Sequence, residues 1–368
     1  MKKMIGLAAT AAILLAAGAA WSWTEPIVVG HEEVLAFDSI SSECIEEAKA
    51  SFFVTYGHTS HGSQIVTGMQ VLMGLDALYS FFNDYDYYAY GDANPVAPEG
   101  NLSFWDTTPS GDLGNPDRTT WESLTRTLLS NSDGAFTIYP HLRNLVMWSW
   151  CGQAGTATEE DITTYLDLMN GLESSYPDIV FVYMTGHLDG SGVDGNLNQR
   201  NNQIRDYCLA NNKVLFDFAD IESYDPDGAY FLDRAATDGC YYDDGSVNWA
   251  QEWCAANTDS ELCTDCGGCA HSECLNCNRK GRAFWWMMAR LAGCLEPGPD
   301  PTDDEEPAPD SSETTPETTT DTTEGTSETH PDTAVDTTTD TAPPDTGLDT
   351  QEEEEEGGGG GCGCSIVA

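Results

Sequence analysis

Basic residues are scarce in this sequence of 368 residues: lysine and arginine together number 14, against 62 aspartates and glutamates. The formal net charge is -48 at pH 7. A chain this acidic repels phosphate backbones and anionic lipid surfaces, so we do not expect nucleic acids or such membranes as partners. Strong negative charge favours solubility in salt and weak binding of divalent cations, but it does not identify a substrate.

Long hydrophobic runs are equally scarce, and the one near the amino terminus is short for a bilayer span. It extends from Ile5 to Ala20, follows Met1-Lys2-Lys3 and contains the small residues Gly18-Ala19-Ala20. This pattern predicts a secretory signal peptide over residues 1–20, with an uncleaved anchor as the alternative. We therefore expect an exported protein, at the cell surface or extracellular.

Large apolar side chains are almost absent from residues 295–350, which consist mainly of Thr, Pro, Asp, Glu and Ser. Such a segment cannot bury a core, so we expect a disordered stalk whose threonines suit O-glycosylation. Residues 21–294 have the aromatics, glycine turns and apolar runs of a globular domain. Residues 351–368 begin with a Glu/Gly run and contain two cysteines.

Apolar runs without polar alternation recur through the globular part, separated by segments with helical periodicity. The predicted strands are Phe52–Tyr56, Asn144–Trp150, Ile179–Met184 and Val214–Phe218, and the predicted helices are Ser63–Phe82, Trp121–Ser130, Glu159–Ser174, Asn198–Ala210 and Arg282–Leu291. This order predicts an α/β fold with a parallel sheet covered on both faces. The functional site of such a fold lies at the carboxyl ends of its strands.

The carboxyl ends of these strands carry Ser60, Gly152, Gln153, Gly186, His187 and Asp217. Ser60 stands in His58-Thr59-Ser60-His61-Gly62, between the first strand and a helix. A strand–turn–helix unit can expose a serine hydroxyl beside backbone N–H groups, as a nucleophile for acyl transfer requires. The alternative is that Ser60 only caps the helix.

The segment from Asp84 to Asn115 is too long for a simple connection and predicts an excursion that lines the site. It is rich in aromatic residues: Tyr85, Tyr87, Tyr88, Tyr90, Phe104 and Trp105. Such rings suit stacking on sugars, and they equally suit packing.

Thirteen cysteines in an exported chain predict disulfides. The candidates are Cys240, Cys254, Cys263, Cys266, Cys269, Cys274 and Cys277, several of them at spacings that zinc or an iron–sulfur cluster would also accept. His271 lies within this cysteine-rich loop. A loop closed covalently on both sides would hold its imidazole rigid, although a surface histidine is the simpler alternative.

The order of these residues resembles the SGNH (GDSL-like) hydrolase superfamily, in particular exported bacterial relatives whose first block reads His-x-Ser-x-Gly, as residues 58–62 do here. The resemblance covers Phe52 to Gly293 and implies a three-layer α/β/α, flavodoxin-like fold. It further implies that Ser60 is the nucleophile, that its own N–H helps to bind the oxyanion, and that His271, before the last helix, is the base.

Carried over block by block, the resemblance implies further site residues. Gly114 would be the second-block glycine, and Gln153 would replace the usual asparagine donor. The family's Asp-x-x-His block keeps His271 but has Gly268 at the position of the acid. Asp265 is the nearest upstream acid and becomes the candidate for orienting His271, with a serine–histidine dyad as the alternative.

Other histidines have separate assignments. His187 and His58 are candidates for binding substrate, and His187 is also a candidate second base. His58, His61 and His271 could instead form a zinc site, because three imidazoles suit zinc.

The carboxyl-terminal end has a resemblance of its own. The acidic stalk, the glycine run and Cys362-Gly363-Cys364-Ser365 resemble the opening of a Myxo-type C-terminal sorting signal, without the transmembrane helix and arginine cluster that normally follow. This implies attachment to the cell envelope, with Cys362 or Cys364 as the anchor residue. An ordinary flexible end is the alternative.

The sequence therefore predicts an exported serine esterase acting on a small ester or an acetylated glycan, for example by deacetylating a polysaccharide. It predicts no cofactor. Two alternatives from other classes stay open. One is a catalytically inactive SGNH-like surface module for binding or adhesion, and the other is a metal-binding surface protein that uses the histidines or the acidic loops Asp225–Asp227 and Asp243–Asp244.

Overall fold

The computed structural model describes residues 23–83, 97–130 and 143–295. The strands of this part are β1 (Ile27–Val29), β2 (Phe53–Gly57), β3 (Phe81–Phe82), β4 (Leu102–Trp105), β5 (Leu145–Trp148), β6 (Val180–Met184), β7 (Val214–Phe216), β8 (Tyr241–Tyr242) and β9 (Val247–Asn248). Its helices are α1 (His31–Leu35), α2 (Ser42–Ser51), α3 (Ser63–Leu75), α4 (Thr120–Ser130), α5 (Glu159–Ser175), α6 (Asn196–Ala210), α7 (Phe218–Ser223), α8 (Trp249–Ala256) and α9 (Cys274–Leu291).

Seven strands form one parallel sheet in the order β1-β7-β6-β5-β2-β4-β3. All residues of the central strands β5 and β6 are buried, because helices cover both faces. Met147 packs in the core on the side of α2, α3 and α9, whereas its neighbours Val146 and Trp148 pack in the core on the side of α4, α5 and α6. The predicted α/β fold with a parallel sheet is confirmed, and the arrangement is consistent with a flavodoxin-like fold.

Sequence periodicity located most central elements but misplaced the edges. β1 was not predicted, because its three residues are too few to show a pattern. β4 lies inside the segment predicted as an excursion. The helix predicted over Ser63–Phe82 ends at Leu75, where Asp76 turns the chain and caps a short 3₁₀ helix. α9 begins at Cys274, before the predicted start at Arg282.

Two aromatic residues of the predicted excursion are part of the core. Phe104 is 0% and Trp105 is 1% exposed in β4. The guanidinium of Arg143 lies 4.3 Å from the centre of the Trp105 ring. These two rings are therefore unable to stack on a sugar, which corrects the sequence expectation for them. Tyr85, Tyr87, Tyr88 and Tyr90 lie outside the described residues.

Three other predictions also fall outside the described residues, namely the signal peptide, the stalk and the anchor candidates Cys362 and Cys364. None of the described helices is long and apolar enough to cross a membrane.

Three disulfides close the loop before α9, joining Cys254 to Cys263, Cys266 to Cys274 and Cys269 to Cys277. These six sulfurs are thus consumed by one another, which removes them as zinc or iron–sulfur ligands. Cys240 is a free, buried thiol, contrary to its prediction as a disulfide partner. It packs with the small core around α8, and burial raises its pKa to about 12.

Helices α3 and α9 pack backbone against backbone at two glycines. A Cβ atom on Gly68 would lie 1.8 Å from the carbonyl oxygen of Cys277 and 2.8 Å from the nitrogen of Gly281. A Cβ on Gly281 would in turn lie 2.3 Å from the carbonyl carbon of Gly68. No side chain fits between these helices, so both glycines are required by the close approach.

We expect Gly68→Ala to lower the free energy of unfolding by about 2–3 kcal/mol or more, because the new methyl group must push α3 away from α9. Gly74→Ala is the matched control, since Gly74 is an exposed residue of the same helix and a Cβ atom there would have no other atom within 4 Å. That variant should be neutral or more stable by up to about 1 kcal/mol. Denaturant unfolding measures both. Equal effects of the two substitutions would contradict the close contact.

Candidate functional site

The turn between β2 and α3 places Ser60 at the carboxyl edge of the sheet. The backbone N–H and the hydroxyl of Ser63 donate to the carbonyl oxygen of Ser60 at 3.2 and 2.6 Å. The hydroxyl of Tyr56 donates to the carbonyl of Gly62 at 3.1 Å. A Cβ on Gly62 would lie 2.4 Å from the Cβ of His58, so this turn closes only with glycine there. The half-buried Ser60 is therefore held in a tightly bonded turn at the start of a helix.

Three imidazoles stack beside this turn. The ring of His61 lies between those of His187 and His271, with centroid distances of 3.6 and 4.3 Å and interplanar angles of 1° and 13°. The three residues follow β2, follow β6 and precede α9, respectively. The fold thus brings His271, from the end of the domain, against the chain neighbour of Ser60.

Asp238 is the carboxylate of this cluster. Its Oδ2 lies 2.9 Å from Nε2 of His61, and its Oδ1 accepts the N–H of Gly239 at 2.9 Å. Burial alone would raise the pKa of Asp238, but the hydrogen bond to His61 and the nearby imidazole of His187 lower it below its usual value. Asp238 is therefore ionised at neutral pH and accepts the Nε2–H of His61.

His61 is neutral at pH 7. Burial lowers its pKa to about 4, although the bond to Asp238 acts in the opposite direction. With Nε2–H donated to Asp238, Nδ1 carries the lone pair and lies 3.5 Å from the sulfur of Cys151. That same sulfur lies 3.4 Å from Oγ of Ser60, so it contacts both Ser60 and His61 just beyond the end of β5.

The acid suggested by the sequence lies elsewhere. Asp265 is exposed in the cysteine-rich loop, where its Oδ1 accepts the N–H of Gly267 at 3.0 Å and contacts the sulfur of Cys274 at 3.9 Å. Asp238 occupies the position next to the imidazoles instead. Sequence reasoning missed it because no spacing connects Asp238 to His271; it follows Thr237 in an irregular loop.

A second wall of the site is formed by Gly114 and Gln153, the two residues predicted to bind the oxyanion. A Cβ on Gly114 would lie 3.0 Å from the Cβ of Gln153, so the two residues are neighbours. The Oε1 of Gln153 accepts the N–H of Cys151 at 2.9 Å, and its Nε2 lies 3.5 Å from Oδ2 of Asp112. The hydroxyl of Thr59 donates to Oδ1 of Asp112 at 2.6 Å, which ties this wall to the turn that carries Ser60.

Asp112 is 1% exposed, and burial raises its pKa above the ordinary value. It is a residue that the sequence did not single out.

Gly152 precedes Gln153 and is open, since no atom lies within 4 Å of an added Cβ there.

Several other predicted site residues are engaged in local structure. His58 is buried, with Nε2 2.7 Å from Oδ1 of Asp106 and Nδ1 3.0 Å from the carbonyl of Thr59, so both ring nitrogens already have partners. Asp217 forms an ion pair with Arg205 and caps α7.

The acidic loops proposed for metal binding are also internally satisfied. Asp225 accepts the N–H groups of Asp227 and Ala229 at 2.9 and 2.8 Å, closing a turn. Asp243 forms an ion pair with Arg234.

A buried charge pair is hydrogen-bonded, directly or through Gln64, to the loops that carry two of the stacked histidines, His187 and His271. Lys280 in α9 and Glu222 in α7 are each 0% exposed, with Nζ and Oε1 2.5 Å apart. Lys280 also donates to Oε1 of Gln64 in α3. Burial lowers the pKa of Lys280, against the effect of Glu222.

The outer hydrogen bonds of this group reach the loops of the site. The second oxygen of Glu222 accepts the N–H of Leu188 at 2.7 Å, and Nε2 of Gln64 donates to the carbonyl of Ala270 at 2.6 Å. Leu188 and Ala270 are the chain neighbours of His187 and His271. The buried pair therefore connects two histidine-bearing loops to three helices.

We expect Lys280→Met and Glu222→Gln each to lower the free energy of unfolding by about 3–5 kcal/mol, because each leaves a buried partner uncompensated. The double variant should lose much less than the sum of the two. Chemical denaturation of the four proteins completes the cycle. Additive losses would contradict a coupled pair.

Comparisons with family models, with curated proteins and with solved structures found no match to this chain.

Proposed function

We propose that this protein is an exported, surface-displayed serine esterase of SGNH type, with Ser60 as the nucleophile and His271 as the general base. One observation carries the proposal: the imidazole of His271 stacks at 4.3 Å on that of His61, which directly follows Ser60 in the chain. A serine and a histidine from opposite ends of the domain, brought to the same edge where a parallel strand enters a helix, suit acyl transfer.

The choice of His271 over His61 follows from burial. His61 is 2% exposed, and its pKa of about 4 disfavours taking a proton at neutral pH. A general base works best when its pKa is near the working pH. His271 is exposed, so its ring can take the serine proton and pass it to a leaving alcohol.

In this proposal Asp238 is the acidic residue that stabilises the protonated form of His271. Its carboxylate oxygen and the ligand nitrogens of His61 and His271 all lie within 4.8 Å of one another. A fixed negative charge at this distance stabilises the imidazolium that forms when His271 accepts the proton. His61, bonded to Asp238, holds that carboxylate in place.

Gly114 and Gln153 supply hydrogen-bond donors for the oxyanion. The carbonyl of the Gln153 amide is fixed by the N–H of Cys151, and among the residues that the structure describes its Nε2–H₂ group has only a long contact with Asp112. A donor held in this way can bind the oxyanion together with the N–H groups of Gly114 and Ser60. Serine attack on the ester carbonyl releases the alcohol and leaves an acyl-enzyme, which water then hydrolyses.

A small ester or an acetylated glycan is the proposed substrate. Export is supported by the three disulfides, because such bonds persist in oxidising compartments.

We expect Ser60→Ala to reduce the hydrolysis of p-nitrophenyl acetate by at least about 10³-fold, because the nucleophile is lost. His271→Ala should reduce kcat by about 10²–10⁴-fold. His61→Ala should cost less, because His61 acts only through Asp238. Ser39→Ala, which removes an exposed hydroxyl, is the control and should leave kcat unchanged.

The full-length secreted protein is assayed on p-nitrophenyl acetate and on acetylated polysaccharide, with circular dichroism to check folding. Undiminished hydrolysis by Ser60→Ala would overturn the nucleophile assignment. A His61→Ala defect larger than that of His271→Ala would move the role of base to His61. Absence of hydrolysis on every ester would favour an inactive binding module.

A further inference from the structure

We propose that His61, Asp238 and His271 form a binding site for a divalent transition metal such as Zn²⁺, and that the bound metal inhibits the esterase. The site contains two imidazoles and one carboxylate, with their ligand atoms within 4.8 Å of one another. Within the described ranges, this is the one group of three or more His, Cys, Asp or Glu side chains arranged closely enough to share an ion.

The rings of His61 and His271 are stacked, so the exposed His271 ring has to turn before both imidazoles can bind one ion. Zinc binds imidazole nitrogen and carboxylate oxygen at about 2.0–2.2 Å, so two ligand atoms on a tetrahedral ion lie about 3.3–3.5 Å apart. His61 and Asp238 are already 2.9 Å apart because a proton lies between them. Replacing that proton by a metal ion requires these atoms to separate slightly and the His271 ring to rotate out of the stack, because two imidazoles within 13° of parallel cannot both direct a lone pair at one ion.

The donor set favours zinc over calcium or magnesium. Two imidazoles and one carboxylate is a ligand set that catalytic zinc sites use, whereas calcium and magnesium require oxygen ligands almost throughout. Zinc-bound carboxylates are commonly hydrogen-bonded by a second group, and the other oxygen of Asp238 accepts the N–H of Gly239 at 2.9 Å.

The three ligands are held by separate, well-anchored elements. His61 lies in the turn that starts α3, and the disulfides Cys266–Cys274 and Cys269–Cys277 both span His271. The hydroxyl of Ser272 donates to the backbone carbonyl of Asp238 at 2.6 Å, which fixes the two loops to one another. Little chain entropy is lost when the ion binds, so the affinity should not depend on ordering these loops.

Two other histidine–aspartate pairs lack the second imidazole that the proposed metal site contains. His31 lies 2.7 Å from Asp220, and His58 lies 2.7 Å from Asp106. Neither pair belongs to a described group of three ligands. The first pair therefore supplies a matched control for the contribution of the second imidazole.

Binding is tested with Co²⁺ in the full-length Ser60→Ala protein, since tetrahedral Co²⁺ on nitrogen ligands gives intense visible d–d bands. We expect one such Co²⁺ per chain, displaced by Zn²⁺ but not by Ca²⁺. His271→Ala and Asp238→Asn should each weaken binding at least tenfold, or about 1.4 kcal/mol. His31→Ala should not change it.

His271 is exposed, so its replacement removes few contacts and keeps the test informative even when His61 variants fold poorly. Weak binding without visible bands, or bands unaffected by His271→Ala, would overturn the metal site and leave only diffuse attraction of cations to an acidic chain.

The inhibitory part of the inference rests on the proposed esterase, because a metal on His271 blocks the lone pair that accepts the serine proton. Zn²⁺ should lower p-nitrophenyl acetate hydrolysis by the wild-type protein at least tenfold, and a chelator should restore it. If the Co²⁺ bands appear but no ester is hydrolysed, the metal site stands and the esterase fails. If hydrolysis occurs and zinc leaves it unchanged at saturating occupancy, the inhibition is wrong.

Discussion

The glycine contact between α3 and α9 is the constraint on which the candidate site depends. Both helices start at the carboxyl edge of the sheet, one just after His61 and the other just after His271. Gly68 and Gly281 let their backbones touch about one and a half to two turns further along. Because the helices are that close, the two imidazoles at their starts can stack at 4.3 Å. Any side chain at the crossing would separate the helices and open the site.

The buried polar pair Lys280 and Glu222 also helps to fix the positions of the site loops. Lys280 and Glu222 would be costly to bury alone, and a well-packed apolar pair would serve stability equally well. Their outer hydrogen bonds, however, hold the backbone beside His187 and His271 through Leu188 and the Gln64 amide. Retaining a charge pair there gives the loops fixed positions that an apolar core could not specify.

Periodicity predicted the parallel sheet and placed Ser60, Gln153 and His187 at one edge, because continuous apolar strands and their order determine which chain ends lie together. The position of His271 beside them was implied by the resemblance alone. It could not predict Asp238 or Asp112, since both lie in irregular loops whose course depends on tertiary packing. The carboxylate was sought near His271 in sequence, whereas the fold supplies one from a different loop. The prediction that Phe104 and Trp105 line the site was wrong for a similar reason. Their strand is short and enclosed by segments without a regular pattern.

His271 lies between two interlocked disulfides and has a backbone φ of 60°, a conformation that few residues other than glycine adopt. Covalent closure of the loop therefore sustains a local geometry that an open chain would leave. A chain with reduced thiols would lack this closure, and no covalent bond would hold its imidazole in one orientation. Formation of the two disulfides therefore does more than stabilise the loop: it sets the position of the His271 imidazole beside His61.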